Sequence, residues 1–236
     1  MERFFIDQPL QTGTLEITDE EQAFKISTVL RGNVGDKIAV FGSNQKEFAA
    51  QIKGINRKWV GLELGEEIRR GTEPATKVFL YPSLIKKNRF ETAIEKCTEI
   101  GVAEFRPVLT ERSVVKTDEP PERWRKIAIE AAQQSGRLIV PEIKAPVPLR
   151  EALEKIQSGK IVVAAEKQQR TNPAEILPQA GQEFHLFVGP EGGWFPEEIE
   201  LFKKYDPIIL NLGARILRAE TANIVFSAFC IYLGKE

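Results

Sequence analysis

From Lys77 to the end of the chain, apolar runs of strand length alternate with segments whose apolar residues recur at helical spacing. Strands that are apolar on both faces need cover on both sides, and a helix between successive strands supplies it. The alternation therefore predicts an α/β domain with a mostly parallel sheet. Lys77 to Leu80, Phe105 to Leu109, Lys160 to Ala165, Phe184 to Val188 and Ile208 to Leu212 read as its strands. Between them, Phe90, Ala93, Ile94, Cys97 and Ile100 form one helical stripe closed by Gly101. Trp124, Ile127, Ala128, Ala131 and Ala132 form another within Pro120 to Ser135, and an apolar helix from Asn223 ends the chain.

The first 70 residues have a different character. Lys37 to Phe41, Glu47 to Ile52 and Lys58 to Leu64 read as strands, separated by turn residues at Gly35–Asp36, Gly42–Asn44 and Gly54–Asn56. One helix precedes them, opened by the acidic run Asp19–Glu21 and closed by Gly32. This predicts a small barrel-like β domain over residues 1–70 and an α/β domain over 74–236, with the polar stretch Glu66 to Pro74 as the linker.

Charge and composition exclude several functions. Lys plus Arg number 33 against 34 Asp plus Glu, so a wholly basic nucleic-acid coat is ruled out while a local basic patch is not. Two cysteines in apolar helical patterns and a single histidine, His185, provide neither a disulfide framework nor a zinc ligand set. His185 sits mid-strand among apolar residues and reads as a satisfied core histidine. The longest apolar stretch, Ile224 to Leu233, is far short of the roughly 20 residues that span a bilayer, and the N-terminus lacks a signal-peptide pattern. The expectation is a soluble protein of a reducing compartment, with no membrane partner and no metal.

Two loops carry the functional signal, and both follow apolar strands. The first comprises Val188, Gly189, Pro190, Glu191, Gly192, Gly193 and Trp194. Ligands of open α/β sheets bind beyond the carboxyl ends of strands, and glycines let a backbone approach a ligand closely. Neither a dinucleotide fingerprint nor a P-loop is present, and Pro190 removes a donor that a phosphate cradle would use. By itself this loop reads more readily as a tight strand-to-helix turn than as a binding site. The second runs from Asn211 through Leu212, Gly213, Ala214, Arg215, Ile216, Leu217, Arg218, Ala219, Glu220, Thr221 and Ala222. Two arginines and a glutamate in so apolar a run are costly to bury unless paired or used. A structural account also exists, in which Thr221 caps the last helix and Arg218 pairs with Glu220.

In these residues the chain resembles the bacterial 16S ribosomal RNA uracil-N3 methyltransferases of the SPOUT superfamily. Val188 to Gly193 and Leu212 to Ala222 carry the resemblance, supported by Glu95 to Val102, Thr110 to Ser113, Glu130 to Arg137, Val29 to Arg31 and Gly35–Asp36. Two departures lie in the first domain: Phe24 to Thr28 lacks the histidine that members often carry before Val-Leu-Arg, and Gly42–Asn44 is not the usual glycine-rich turn. The resemblance implies a PUA-like N-terminal barrel and a C-terminal α/β domain with a deep trefoil knot, an exception to the rule against threaded chains. It further implies a cytoplasmic homodimer that uses S-adenosylmethionine on 16S ribosomal RNA, and the near-zero net charge points to a structured target, the assembled small subunit.

Carried onto this chain, Val188, Gly189, Pro190, Glu191, Gly192, Gly193, Leu212, Gly213, Ile216, Leu217, Thr221 and Ala222 bind the cofactor. Arg218 stabilises charge developing on the uracil carbonyls, with Glu220 orienting it. Arg31, Lys86, Lys87, Arg89, Arg112, Gln134 and Arg137 hold RNA, in a region from Lys77 to Arg137 where Lys and Arg outnumber Asp and Glu by three. Two rivals stand beside this reading: the same fold acting on ribose 2′-O or guanine N1, and a non-catalytic RNA-binding assembly factor.

Overall fold

The structure is a computed structural model describing every residue except 70, 72, 114–118, 166–171, 175–176, 178–182, 212 and 235–236. It divides into two units, residues 1–73 with 132–139 and residues 74–131 with 140–236.

The first unit is a five-stranded mixed sheet. β1 (Arg3–Ile6) lies parallel to β3 (Lys37–Gly42), while β3, β4 (Glu47–Asn56), β5 (Trp59–Arg69) and β2 (Gly13–Ile17) pair antiparallel in that spatial order. Sequence reading predicts β3, β4 and β5 but not β1 or β2. These two hold only four and five residues, too few for an alternating pattern to stand out from polar flanks. Phe4, Val40, Phe48, Ile52 and Leu62 fill the core beneath α1 (Glu20–Phe24), which continues as a π-helical turn over Lys25–Val29. Asp19 caps α1, its carboxylate accepting from the Gln22 N–H at 2.8 Å.

Residues 132–139 join this unit, whereas the sequence division places them in the second, and Arg3 supplies the reason. Its guanidinium pairs with Glu47 at 2.5 Å and donates to the carbonyls of Ala132, Gln133 and Arg137 at 3.0, 2.7 and 2.9 Å. Those carbonyls end α3 (Glu122–Ser135) and its exit, where the last turn of a helix has no donors of its own and its dipole favours a cation.

The second unit is built on a fully parallel six-stranded sheet. Its strands are β6 (Lys77–Pro82), β7 (Glu104–Phe105), β9 (Glu142–Ile143), β11 (Lys160–Ala164), β12 (Glu183–Val188) and β13 (Ile208–Leu210), in the order β13-β11-β12-β6-β7-β9. β8 (Val108–Leu109) and β10 (Val147–Pro148) form a separate parallel pair. The expected single strand from Phe105 to Leu109 is thus two short ones, separated at Arg106–Pro107, and proline has no N–H to give a ladder.

Alternate residues of the central strands face opposite ways. Val78, Leu80, Phe184 and Leu186 pack with α2 (Lys87–Ile100) and the C-terminal helix α6 (Ala219–Leu233). Tyr81, Phe187 and Val163 pack instead with α4 (Leu149–Glu154) and α5 (Pro196–Lys203). α2 buries the predicted stripe of Phe90, Ala93, Ile94 and Cys97 and ends at Gly101, whose φ of +116° suits a residue without a side chain.

His185 is a satisfied core residue. Its Nε2–H donates to the Ser158 carbonyl at 2.9 Å, which leaves Nδ1 to accept from the Tyr81 hydroxyl at 2.9 Å. The Tyr81 oxygen in turn accepts from Arg106 at 2.9 Å. Burial, assisted by the Arg106 charge, holds the imidazole pKa below its ordinary value, and burial raises that of Tyr81. The unfolded chain therefore takes up the His185 proton at a higher pH than the folded one. The stabilisation is complete above the ordinary value of 6.5 and is lost as pH falls below it through the folded value. Thermal midpoints of the wild-type chain are expected to fall more between about pH 7.5 and about pH 5.5 than those of His185→Gln, which cannot titrate there. Equal falls in the two proteins would show that the network carries no such linkage.

Candidate active site

Three strands of the second unit deliver their carboxyl ends to one edge: β11 at Ala164, β12 at Val188 and β13 at Leu210. Past β12 the chain turns tightly, the Gly193 N–H donating to the Pro190 carbonyl at 2.9 Å with Gly193 at φ +67°. Trp194 then folds back so that its indole N–H donates to the Ala164 carbonyl at 2.9 Å, and its ring meets Phe202 edge-on. Glu198, buried in the first turn of α5, accepts from the Phe195 N–H at 2.8 Å and the Glu111 N–H at 3.2 Å. One carboxylate thus caps the helix and fixes the 110–113 loop beside it.

Past β13, the Asn211 side chain accepts from the Gly213 N–H at 2.7 Å, and Gly213 takes φ +113°. The last helix starts earlier than the predicted Asn223. Arg218 is its N-cap, with its carbonyl accepting from the Ala222 N–H at 2.8 Å. Thr221 therefore lies inside the first turn and is not the cap.

Between these loops lies a cavity of about 420 Å³. Val188, Leu217, Ala222 and Phe226 give it an apolar wall, and Gly189, Gly193 and Gly213 expose main chain to it. Ala164, Ala165, Trp194, Asn211 and Ala219 complete the inner lining, and Ile199, Glu200 and Lys203 extend it along α5. Arg112 and Arg215 line it as exposed cations. Arg112 donates to the Gly192 carbonyl and stands over the Phe195 ring at 4.3 Å.

Of the predicted cofactor residues, Val188, Gly189, Pro190, Gly192, Gly193, Gly213, Leu217 and Ala222 line this cavity. Ile216 does not: its side chain is 76% exposed, because Leu217 takes the inward position. Neither Glu191 nor Thr221 lines it, and Leu212 lies outside the described residues. Arg218 is exposed, and the pairing expected between it and Glu220 is replaced by Arg89, whose Nε lies 3.7 Å from Glu220. Arg89 also donates to Glu191 at 3.1 Å, so it serves carboxylates of the two loops. Arg137 is 4% exposed and bonded to Glu73, which makes it a buried structural ion pair rather than an RNA contact. Lys86, Lys87, Arg31 and Gln134 are exposed.

Trp194 and Arg215 lie in the two loops read from sequence but receive no role there, and Phe226, Lys203 and the pair Ala164–Ala165 are not part of that reading. The alanines were findable, since they end a strand predicted to lie parallel in the same sheet. Phe226 and Lys203 had no local signal, because each is one helical residue among several like it.

A family model described as an RNA methyltransferase domain matches residues 72–230. The Bacillus subtilis protein named Ribosomal RNA small subunit methyltransferase E is 34% identical, with 94% of this chain and 93% of that protein covered. Its Rickettsia conorii namesake is 29% identical, with coverage of 99% and 96%. Among solved structures, the Neisseria gonorrhoeae Ribosomal RNA small subunit methyltransferase E bound to S-adenosyl methionine superposes with a TM-score of 0.90 at 28% identity, over 99% of this chain and 98% of that one. A Legionella pneumophila structure with bound SAM gives 0.91 at 29% identity, over 98% and 97%.

The left-handed backbone at Gly193 yields a direct test of the turn. Open space surrounds a Cβ there, so only the backbone conformation penalises a side chain. Gly193→Ala is expected to destabilise by about 1–2 kcal/mol, seen as a fall of roughly 2–8 °C in thermal midpoint. An unchanged midpoint would show that the turn relaxes without strain.

Proposed function

The chain belongs to the ribosomal RNA small subunit methyltransferase E family, and we propose on that premise that it methylates N3 of one uridine in 16S ribosomal RNA, with S-adenosylmethionine as methyl source. The observation that carries the reading is the cavity, closed by two glycine-containing loops at the carboxyl edge of a parallel sheet.

The lining fits that cofactor. An apolar slot bounded by Val188, Leu217, Ala222 and Phe226 accepts a flat purine, and main-chain groups at Gly189, Gly193 and Gly213 are available to read its edge. A Cβ on Gly189 would come within 3.2 Å of the Trp194 ring, so glycine there lets the wall close without filling the slot. Pro190 lacks the N–H that a phosphate cradle would need, in keeping with a ligand that carries no phosphate.

S-adenosylmethionine, when bound, supplies the electrophilic methyl group. The protein's task is then to orient the uracil, exclude water and stabilise the charge left when the N3 proton departs. That charge spreads onto the two flanking carbonyl oxygens, and a guanidinium beside one of them stabilises it without covering N3. We assign this role to Arg218, exposed between the cavity-lining Leu217 and Ala219. Lys86, Lys87, Arg31, Gln134 and Arg112 are assigned to the RNA backbone. Near-zero net charge favours a structured target, the assembled small subunit, over naked RNA. From the family resemblance we extend the reading to a trefoil knot through the two loops, a PUA-like first unit, a homodimer and a cytoplasmic location.

Incubation with S-adenosylmethionine and unmodified small subunits, followed by nucleoside mass spectrometry, is expected to yield 3-methyluridine at one site. A ribose-methylated nucleoside or 1-methylguanosine would discard the N3 assignment while keeping the cofactor. No methylation, with no cofactor binding by calorimetry, would favour an RNA-binding factor. For Arg218→Ala, kcat is expected to fall about 10²- to 10³-fold with cofactor affinity unchanged, and Arg218→Lys to recover part of the loss. Wild-type kcat in Arg218→Ala would remove Arg218 from the chemistry.

A further inference from the structure

Arg89 is unfavourably placed for the helix that carries it. It stands in the first turn of α2, which has no acidic residue there and whose N-cap Lys86 makes no side-chain capping bond. Lys86, Lys87 and Arg89 thus bring three cations to the positive end of a helix dipole. What offsets this lies elsewhere in the fold. Arg89 Nη1 donates to Glu191 at 3.1 Å, and Nε lies 3.7 Å from Glu220. Glu191 is flanked by Pro190 and Gly192 of the first cavity loop, and Glu220 lies between Ala219 and Ala222 of the second cavity segment. The Glu220 side chain is 14% exposed and its Oε2 is buried without a hydrogen-bond partner among the described residues. Two carboxylates that do not line the cavity themselves, one from each of the two segments that do, therefore converge on a single guanidinium. Without it two like charges, both within reach of one guanidinium and both partly desolvated, would lose the cation they share.

We propose that Arg89 is a positioning residue that holds the two cavity walls together for cofactor binding, in place of the RNA contact its sequence context suggests. This rests on the reading of the cavity as the S-adenosylmethionine site. Arg89 touches neither cofactor nor base in this role; it acts through Glu191 and Glu220.

The test is a double-mutant cycle on S-adenosylmethionine affinity, measured by calorimetry, with thermal midpoints of the ligand-free proteins alongside. Arg89→Ala is expected to weaken binding about tenfold, and Arg89→Lys to weaken it less, since an ammonium neutralises charge but lacks the guanidinium fork. Adding Glu191→Gln to Arg89→Ala removes one of the two opposed charges, so the double variant is expected to bind more tightly than Arg89→Ala alone. A merely structural role predicts the opposite, a double variant weaker than either single one and an affinity that tracks the thermal midpoint. Arg89→Ala with wild-type affinity overturns the proposal, as does a double variant weaker than Arg89→Ala. Should Arg89→Ala fail to fold, Arg89→Lys and Arg89→Lys/Glu191→Gln complete the same cycle with the same criteria. A wild-type chain with no affinity for S-adenosylmethionine overturns the proposed function itself, a result distinct from either.

Discussion

The parallel pairing of β12 with β6 on one side and β11 on the other is the constraint from which the second unit follows. Strands that run the same way must all release the chain at the same edge. Ala165, Gly189 and Asn211 are therefore brought together although more than twenty residues separate each from the next. The strand ends are tied there: the Ser83 N–H donates to the Val188 carbonyl at 2.9 Å, and the Ala165 N–H to the Leu210 carbonyl at 3.1 Å. Because helices cover both faces of the sheet, its edge is the place left for chain to turn and for a cavity to form.

Charge then divides the arginines by partner rather than by position in the sequence. A guanidinium carries five donors in a fixed fork, so it can satisfy several acceptors that no other side chain could serve together. Arg3 uses that capacity on three carbonyls and Glu47 in the first unit. Arg137 turns to Glu73 in the same unit. In the second unit Arg89 meets Glu191 and Glu220, and Arg112 meets the Gly192 carbonyl. Arg215 and Arg218 are left exposed on the segment that closes the cavity. A count of basic residues along the chain cannot separate these cases, because a buried pair and a solvated cation look alike until their partners are placed.

The legible parts of the fold were those with a strong local signal. The stripe of α2 needed only its period and the glycine that stops it, and the central strands needed only continuous apolar runs. β1 and β2 escaped because neither is long enough to show a period, and the first strand's partner lies more than thirty residues away. The two loops stand out through their glycines and their place after strands, but it is the family resemblance that marks them as a site. Their inner and outer faces were not legible. Leu217 and Ile216 are adjacent, similar in size and equally apolar, yet one lines the cavity and the other is exposed.

The sequence by itself determined the alternation of strands and helices, the glycine that closes the first α/β helix, the absence of a phosphate-cradling motif and, through two motifs in order, the family. Each of these is a property of neighbouring residues, set by backbone sterics and by the period of burial. Tertiary structure alone decided which arginines bind protein, which loop residues face inward and where the last helix begins. Those outcomes depend on strands and helices brought into register across long stretches of chain. The free energy of a charge or an apolar side chain is set by the atoms that end up around it, and most of those come from elsewhere in the sequence.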